Sequence, residues 1–351
     1  MRTTTTRTAS RKRANRRLLT GLAAGPLAIA LLAACSTADA GSTDAAAGGD
    51  VTLSFANSYG LDHPHNRCGT DLVAAAVADA GITIESFPSS QLGADAARFT
   101  SVMSGDVDID LQGSSGIAAT YPAIGVMDMA YVFDDVDHLF SWFDSDASDV
   151  VKAGFEEATG AHLLDVWYFG SRTFSANVPI RTPADLEGLR MRFPDSPVHL
   201  GNAAAMGAEP VAVAFEEIYL ALQQGIVDGQ ENPIATIDQM SLNEVQEVVS
   251  LSEHSVGSQL VVMSGDSWSA LSAEQQDALT TAVSDARADN LACALADEES
   301  VLAEWAAAGT PEVVEDVDRA AFIEKAEEYF LAELEGDQLE LYTNIRDAAG
   351  E

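Results

Sequence analysis

Residues 272–308 form a 37-residue run without a proline or a glycine, rich in Ala, Leu and Glu. Nothing in that run breaks a helix, and at 1.5 Å per residue it reaches about 55 Å. That is longer than a small domain is wide. The run shows no heptad seam, so it predicts a strut laid across two bodies rather than a coiled coil. A chain of 351 residues has room for two lobes.

The chain before the strut alternates in kind. Residues 51–55 alternate apolar and polar as a half-buried strand does, and 67–80 carry apolar positions at helical spacing. Residues 82–85 read as a second strand, followed by the turn Pro88-Ser-Ser-Gln-Leu-Gly93; 94–103 read as a helix and 107–111 as a third strand. This order predicts an α/β lobe with a mainly parallel sheet. It recurs more loosely as short strands at 163–168, 190–193 and 209–213, with helices at 196–206 and 215–223.

The first 35 residues read as an address. Arg11, Lys12, Arg13, Arg16 and Arg17 precede a 17-residue apolar stretch, 18–34, that ends in small residues. This predicts a secretory signal, 1–34, too short and too rich in Ala and Gly for a secure membrane span. Leu32-Ala33-Ala34-Cys35 resembles the bacterial lipobox, which implies cleavage before Cys35 and a diacylglycerol on its sulfur that holds the chain to the bilayer. Arg16-Arg17-Leu18-Leu19 is similar to a twin-arginine export signal, and the general secretory route stays open beside it. Residues 36–50 are small and polar, a tether. Cys68 and Cys293 remain in a compartment where disulfides persist; they form either a bonded pair or two buried thiols. No CxxC occurs and the histidines are scattered, so no metal site is expected.

Residues 1–34 hold seven of the 18 Lys and Arg and no acid, which leaves 11 cations against 55 Asp and Glu, a formal −44. Such a surface repels phosphate backbones and excludes nucleic acid as a partner. Four of the eleven cations, Arg172, Arg181, Arg190 and Arg192, fall within 21 positions, where an anion would be welcomed. A guanidinium can grip a carboxylate through two parallel hydrogen bonds. On a strand 189–193, Arg190 and Arg192 share one face while Met191 and Phe193 take the other. Arg181 and Arg190 are expected to pair at the surface with acids such as Asp185 and Glu187. The acid pairs Glu216-Glu217 and Asp134-Asp135 are read as a solvated face.

Gly170-Ser-Arg172-Thr-Phe, Pro179-Ile-Arg-Thr-Pro-Ala-Asp185-Leu-Glu-Gly188-Leu-Arg-Met-Arg192-Phe-Pro and Gly207-Ala-Glu-Pro-Val recur in a known family. So do Glu217-Ile-Tyr219-Leu-Ala-Leu-Gln223 and Asp228-Gly-Gln-Glu231-Asn232-Pro. Over about 51–335 the chain resembles the extracytoplasmic solute-binding proteins of TRAP (tripartite ATP-independent periplasmic) transporters, the dicarboxylate-binding-type family. The resemblance implies an α/β fold: a two-lobed, periplasmic-binding-protein-like (type II) clamshell with hinge strands and a long helix spanning both lobes. The expected lobes are 51–169 with 258–297 returning, and 170–257 with 298–351 returning.

The resemblance also implies that Arg172 and Arg192 hold a carboxylate and that Asn232 completes the contact. Asn57, His65, Ser114, Trp167 and Phe169 are further ligand-contact candidates. Gly113 and Ser114 are small and uncharged where sialic-acid binders carry an acid. The implied function is capture of a small organic carboxylate by a monomer and delivery to TRAP membrane subunits. A lipoprotein feeding an ABC importer is the alternative. No Ser-His-Asp order, Gly-x-Ser-x-Gly or Walker loop occurs, so no enzyme and no cofactor are expected.

Overall fold

The computed structural model describes residues 49–349; the expected signal segment, Cys35 and tether residues 36–48 lie outside them. Nine strands join one sheet: β1 (Val51–Asn57), β2 (Ile82–Phe87), β3 (Ile109–Gly113), β4 (Ala161–Ala176), β5 (Arg190–Phe193), β6 (Glu209–Ala212), β7 (Gly229–Asn232), β8 (Val248–Ser264) and β9 (Glu312–Val314). Their order is β2-β1-β3-β8-β4-β7-β5-β6, with β9 also on β8. β1 lies parallel to β2 and β3, and β5 parallel to β6 and β7. These are the parallel sets of the two lobes.

Between them run β4 and β8, 16 and 17 residues long and antiparallel to each other. The sheet is therefore mixed rather than mainly parallel. Each long strand passes through both lobes, one going out and one coming back, and a returning strand must be antiparallel. β3 pairs with the C-terminal end of β8, and β7 with the C-terminal end of β4. The two strands cross between lobes where Gly170 pairs with Gly257, and their register shifts on both sides of that pair.

The long helix is Ala273–Ala308. Ser272 caps it: its Oγ accepts from Gln275 N at 3.2 Å, while Gln275 Oε1 accepts from Ser272 N at 3.1 Å. Gly309, at φ 71°, ends it in the left-handed conformation that a side chain resists. Leu279, Val283 and Ala286 pack into the core of the first lobe around Phe55, Val73 and Val261. Trp305, near the other end, packs with Ile218, Ile237 and Val249 of the second. The helix thus spans both lobes.

Cys68 and Cys293 form a disulfide, Cα–Cα 6.4 Å, that ties the turn Asn66–Thr70 to this helix. The last helix, Gly336–Asp347, departs from the expected division. Trp142 Nε1 donates to Asn344 Oδ1 at 2.7 Å, and Arg346 reaches the Tyr131 and Val132 carbonyls. It covers first-lobe elements although the chain from 298 onward was expected with the second. Trp142 and Phe133 leave an apolar face there that needs a cover.

Candidate functional site

β5 sends Met191 and Phe193 into the core and Arg192 to the opposite face. There Arg192 enters a cavity of about 310 Å3 walled from both lobes. Its Nε donates to the Val213 carbonyl at 2.9 Å, and its buried Nη1 has no partner among the described residues. A buried cationic donor without a partner is costly unless something else supplies the acceptor. Burial pushes its pKa down to about 10, so it stays charged at neutral pH.

Arg172, on β4, sits two strands away across β7, roughly 10 Å at normal strand spacing. Its Nε and Nη2 grip Glu231, with Nη2 2.7 Å from Oε1, and Nη2 also reaches Asn232 Oδ1 at 3.2 Å. Asn232 Nδ2 donates to Gln230 Oε1 at 2.6 Å, and Gln230 Nε2 to Ser175 Oγ at 2.8 Å, which fixes the amide's orientation. Burial alone would raise the Glu231 carboxyl, but Arg172 and His254 beside it hold it well below the usual range. Arg172 is thus neutralised within the protein, and Arg192 is not.

The first lobe supplies the facing wall. Asn57 and Asn66 bond each other and hold the loop that carries Tyr59. Arg98, fully buried, donates to Asp110, Asp95 and Ser58, each within 2.9 Å, and so holds Asp95 at the cavity rim. Burial raises Asp110 to about 7 against the pull of Arg98. Asp128 accepts from Ser258 Oγ at 3.0 Å, Ser114 Oγ at 2.6 Å and Ser115 N at 3.1 Å. His199 is buried and held neutral, its pKa pushed down to about 4 by burial.

Residues 72–335 match the family model described as bacterial extracellular solute-binding protein, family 7. The chain belongs to that family. It is 31% identical over 242 residues to the 2,3-diketo-L-gulonate-binding periplasmic protein YiaO of Escherichia coli, covering 69% of this chain and 73% of that protein. It is 36% identical over 202 residues to the sialic acid-binding periplasmic protein SiaP of Vibrio cholerae, covering 58% of this chain and 63% of that protein. The crystal structure of a TRAP periplasmic solute binding protein from Roseobacter denitrificans, with bound 3-deoxy-D-manno-oct-2-ulosonic acid, superposes with a TM-score of 0.79. That match is 26% identical and covers 86% of this chain and 100% of the other.

This TRAP solute-binding protein is a two-lobed capture protein, not an enzyme. The matches give no support to the ABC-importer alternative. Of the expected contacts, Arg172, Arg192, Asn232 and Phe169 reach the cavity. Trp167 does not: it is fully buried over Gly69, where a Cβ would lie 2.4 Å from its ring, and its Nε1 donates to the Val283 carbonyl at 3.1 Å. Trp167 and Phe169, two positions apart on β4, share a face; Phe169, further along the strand, reaches the cavity, while Trp167 packs against the long helix.

His65 also stands behind the wall, with Nδ1 2.9 Å from Asn290 Nδ2 of the long helix. Asn57 is spent on the Tyr59 loop and Ser114 on Asp128. Arg190 pairs with Asp228 at 2.6 Å and Arg181 with Asp316 at 3.0 Å, not with Asp185 or Glu187; Asp185 instead caps the turn at Thr182. Glu216, read as a solvated acid, lines the cavity. Sequence reasoning also missed Tyr59, Asp95, Asp128 and Gln259 in the wall, and Glu231 beneath it. Glu231 had a signal, because a buried arginine needs an acid and Glu231 adjoins Asn232. Asp95 and Asp128 had none among 55 acids.

Proposed function

We propose that this binding protein captures a small organic carboxylate outside the cytoplasmic membrane and delivers it to the membrane subunits of a TRAP transporter. The observation that carries this is the buried, unpartnered Nη1 of Arg192 in a cavity walled from both lobes. A carboxylate supplies the acceptor and the counter-charge that Arg192 lacks, and the remaining Arg172 edge and Asn232 steady it. The ligands named for YiaO, SiaP and the Roseobacter protein are themselves carboxylic acids, which supports the proposal.

Ligand is proposed to close the lobes about the crossing of β4 and β8, with 51–169 and 258–297 on one side and 170–257 on the other. Support comes from contacts over the cavity mouth: Ser90 Oγ donates to Glu216 Oε1 at 2.9 Å, and the Tyr59 and Phe215 rings stand edge to face at 6.2 Å. The protein is proposed to act as a monomer anchored by a lipid on Cys35, supported by the lipobox-like Leu32-Ala33-Ala34-Cys35. Cys35→Ser should then release it from membranes or leave it unprocessed, and membrane-bound protein of unchanged mass would refute the anchor.

The test of function is a melting-temperature screen of the purified protein against organic acids, with mass spectrometry of any co-purified molecule. A ligand at 100 times its Kd adds about 2.7 kcal/mol, roughly 4 °C for a chain of this size. A library of acids that leaves the transition unmoved would contradict the proposal.

A further inference from the structure

The cavity wall carries two guanidinium groups, Arg172 and Arg192, against four carboxylates, Asp95, Asp128, Asp195 and Glu216. Arg172 is already neutralised by Glu231, whose carboxylate it holds through Nε and Nη2. Arg192 spends its Nε on a carbonyl, and among the described residues no carboxylate lies within hydrogen-bonding distance of it. The wall therefore has one uncompensated positive charge.

Resting on the carboxylate proposal, we infer that this cavity takes ligands with a single carboxylate whose other polar groups are hydrogen-bond donors, and rejects dicarboxylates. A second carboxylate on a ligand anchored at Arg192 would meet Asp95, Asp128 or Glu216 with no free cation to offset it. Asp128 is buried, and like charges brought together out of water repel strongly; Asp95 and Glu216, wetter at the rim, add to that repulsion less. Among the wall groups that remain, two acceptors are open to a ligand. Gln259 is 5% exposed, and its Oε1 is buried without a partner among the described residues. Asp95 is held by Arg98 and Ser58 through Oδ1 alone, which leaves Oδ2 to a donor. A hydroxyl or an ammonium satisfies such groups, and a methylene leaves them unpaired. Glu231 and Gln259 are thus specificity determinants: the first removes the charge of Arg172 from the cavity, and the second reads a donor on the ligand body.

The test is calorimetric titration of the purified protein with five six-carbon acids: D-gluconate, D-glucuronate, 6-aminohexanoate, D-glucarate and hexanoate. At least one of the first three should bind more than about tenfold more tightly than both D-glucarate and hexanoate. Binding by the amino acid rather than the sugar acids would identify the donor as an ammonium. Glu231→Gln, which keeps the shape and frees the charge of Arg172, should narrow the preference over D-glucarate by about tenfold. Gln259→Leu should cut the advantage over hexanoate by a similar factor. If Glu231→Gln does not fold, the wild-type comparison and Gln259→Leu decide. D-Glucarate or hexanoate binding as tightly as the best of the first three overturns the inference while the carboxylate proposal stands. Silence from all five also overturns it, and the carboxylate proposal is then judged separately on the acid library.

Discussion

Gly170 and Gly257 face each other where β4 and β8 pass from one lobe to the other, and neither has room for a side chain. A Cβ on Gly257 would lie 2.6 Å from the Gly170 carbonyl oxygen; one on Gly170, whose φ is +118°, would lie 2.5 Å from Pro233. The two long strands that pass through both lobes therefore touch here through bare backbone. Gly170→Ala is expected to cost about 1–3 kcal/mol from the disfavoured φ alone. Urea unfolding should show the loss as a lower midpoint, and an unmoved midpoint would refute the tight crossing.

The disulfide joins residues 225 apart in sequence and fastens the turn after His65 to the long helix. Arg67 lies beside both sulfurs and pairs with Asp297 on the same helix, so the two contacts brace one seam. Closing so long a loop restricts the unfolded chain. Replacing both partners, Cys68→Ser with Cys293→Ser, should lower the unfolding free energy by about 2–5 kcal/mol. Equal stability of the double variant would show that the bridge constrains nothing.

His63 stacks on Tyr59 with ring centres 4.4 Å apart, and burial, aided by Arg67, pushes its pKa down to about 3. Unfolded, it titrates near 6.5. Its contribution to stability is present above pH 6.5 and is lost as pH falls toward 3, because the unfolded chain takes up a proton that the folded one refuses. Each pH unit in that window costs about 1.4 kcal/mol. In urea unfolding at pH 7 and pH 4.5, wild type should lose about 2 kcal/mol more than His63→Asn. Parallel losses would place the acid sensitivity elsewhere.

The long helix was legible because its signal is local: 36 helical residues, a capping Ser272 and a stopping Gly309 are written consecutively. β5 was legible for the same reason, its apolar and basic residues alternating over four positions. β8 escaped because nearly all its residues are buried on both faces, so no alternation marks it, and its Ser, His and Gln face polar interior rather than water. β4 was found only in its first half for the same cause. In the site, the strand pattern put Arg190 and Arg192 on one face, and the family resemblance singled out Arg192. The acids of the wall did not, since only their distance from Arg172 and Arg192 in space separates them from the many solvated ones.

The central claim is that Arg192 anchors a ligand carboxylate, and titration of Arg192→Ala with an acid identified by the melting screen tests it most directly. Removing one partner of a buried, hydrogen-bonded charge pair costs about 2–5 kcal/mol. At roughly 1.4 kcal/mol per tenfold, binding should weaken by about thirty-fold to several thousand-fold. Arg192→Lys keeps the charge but loses the paired donors, and should recover only part of the loss. Arg181→Ala, whose side chain is tied to Asp316 and Glu312, is the control and should bind almost as wild type does. Arg192→Ala binding within about threefold of wild type, in a protein confirmed to be folded, would contradict the account.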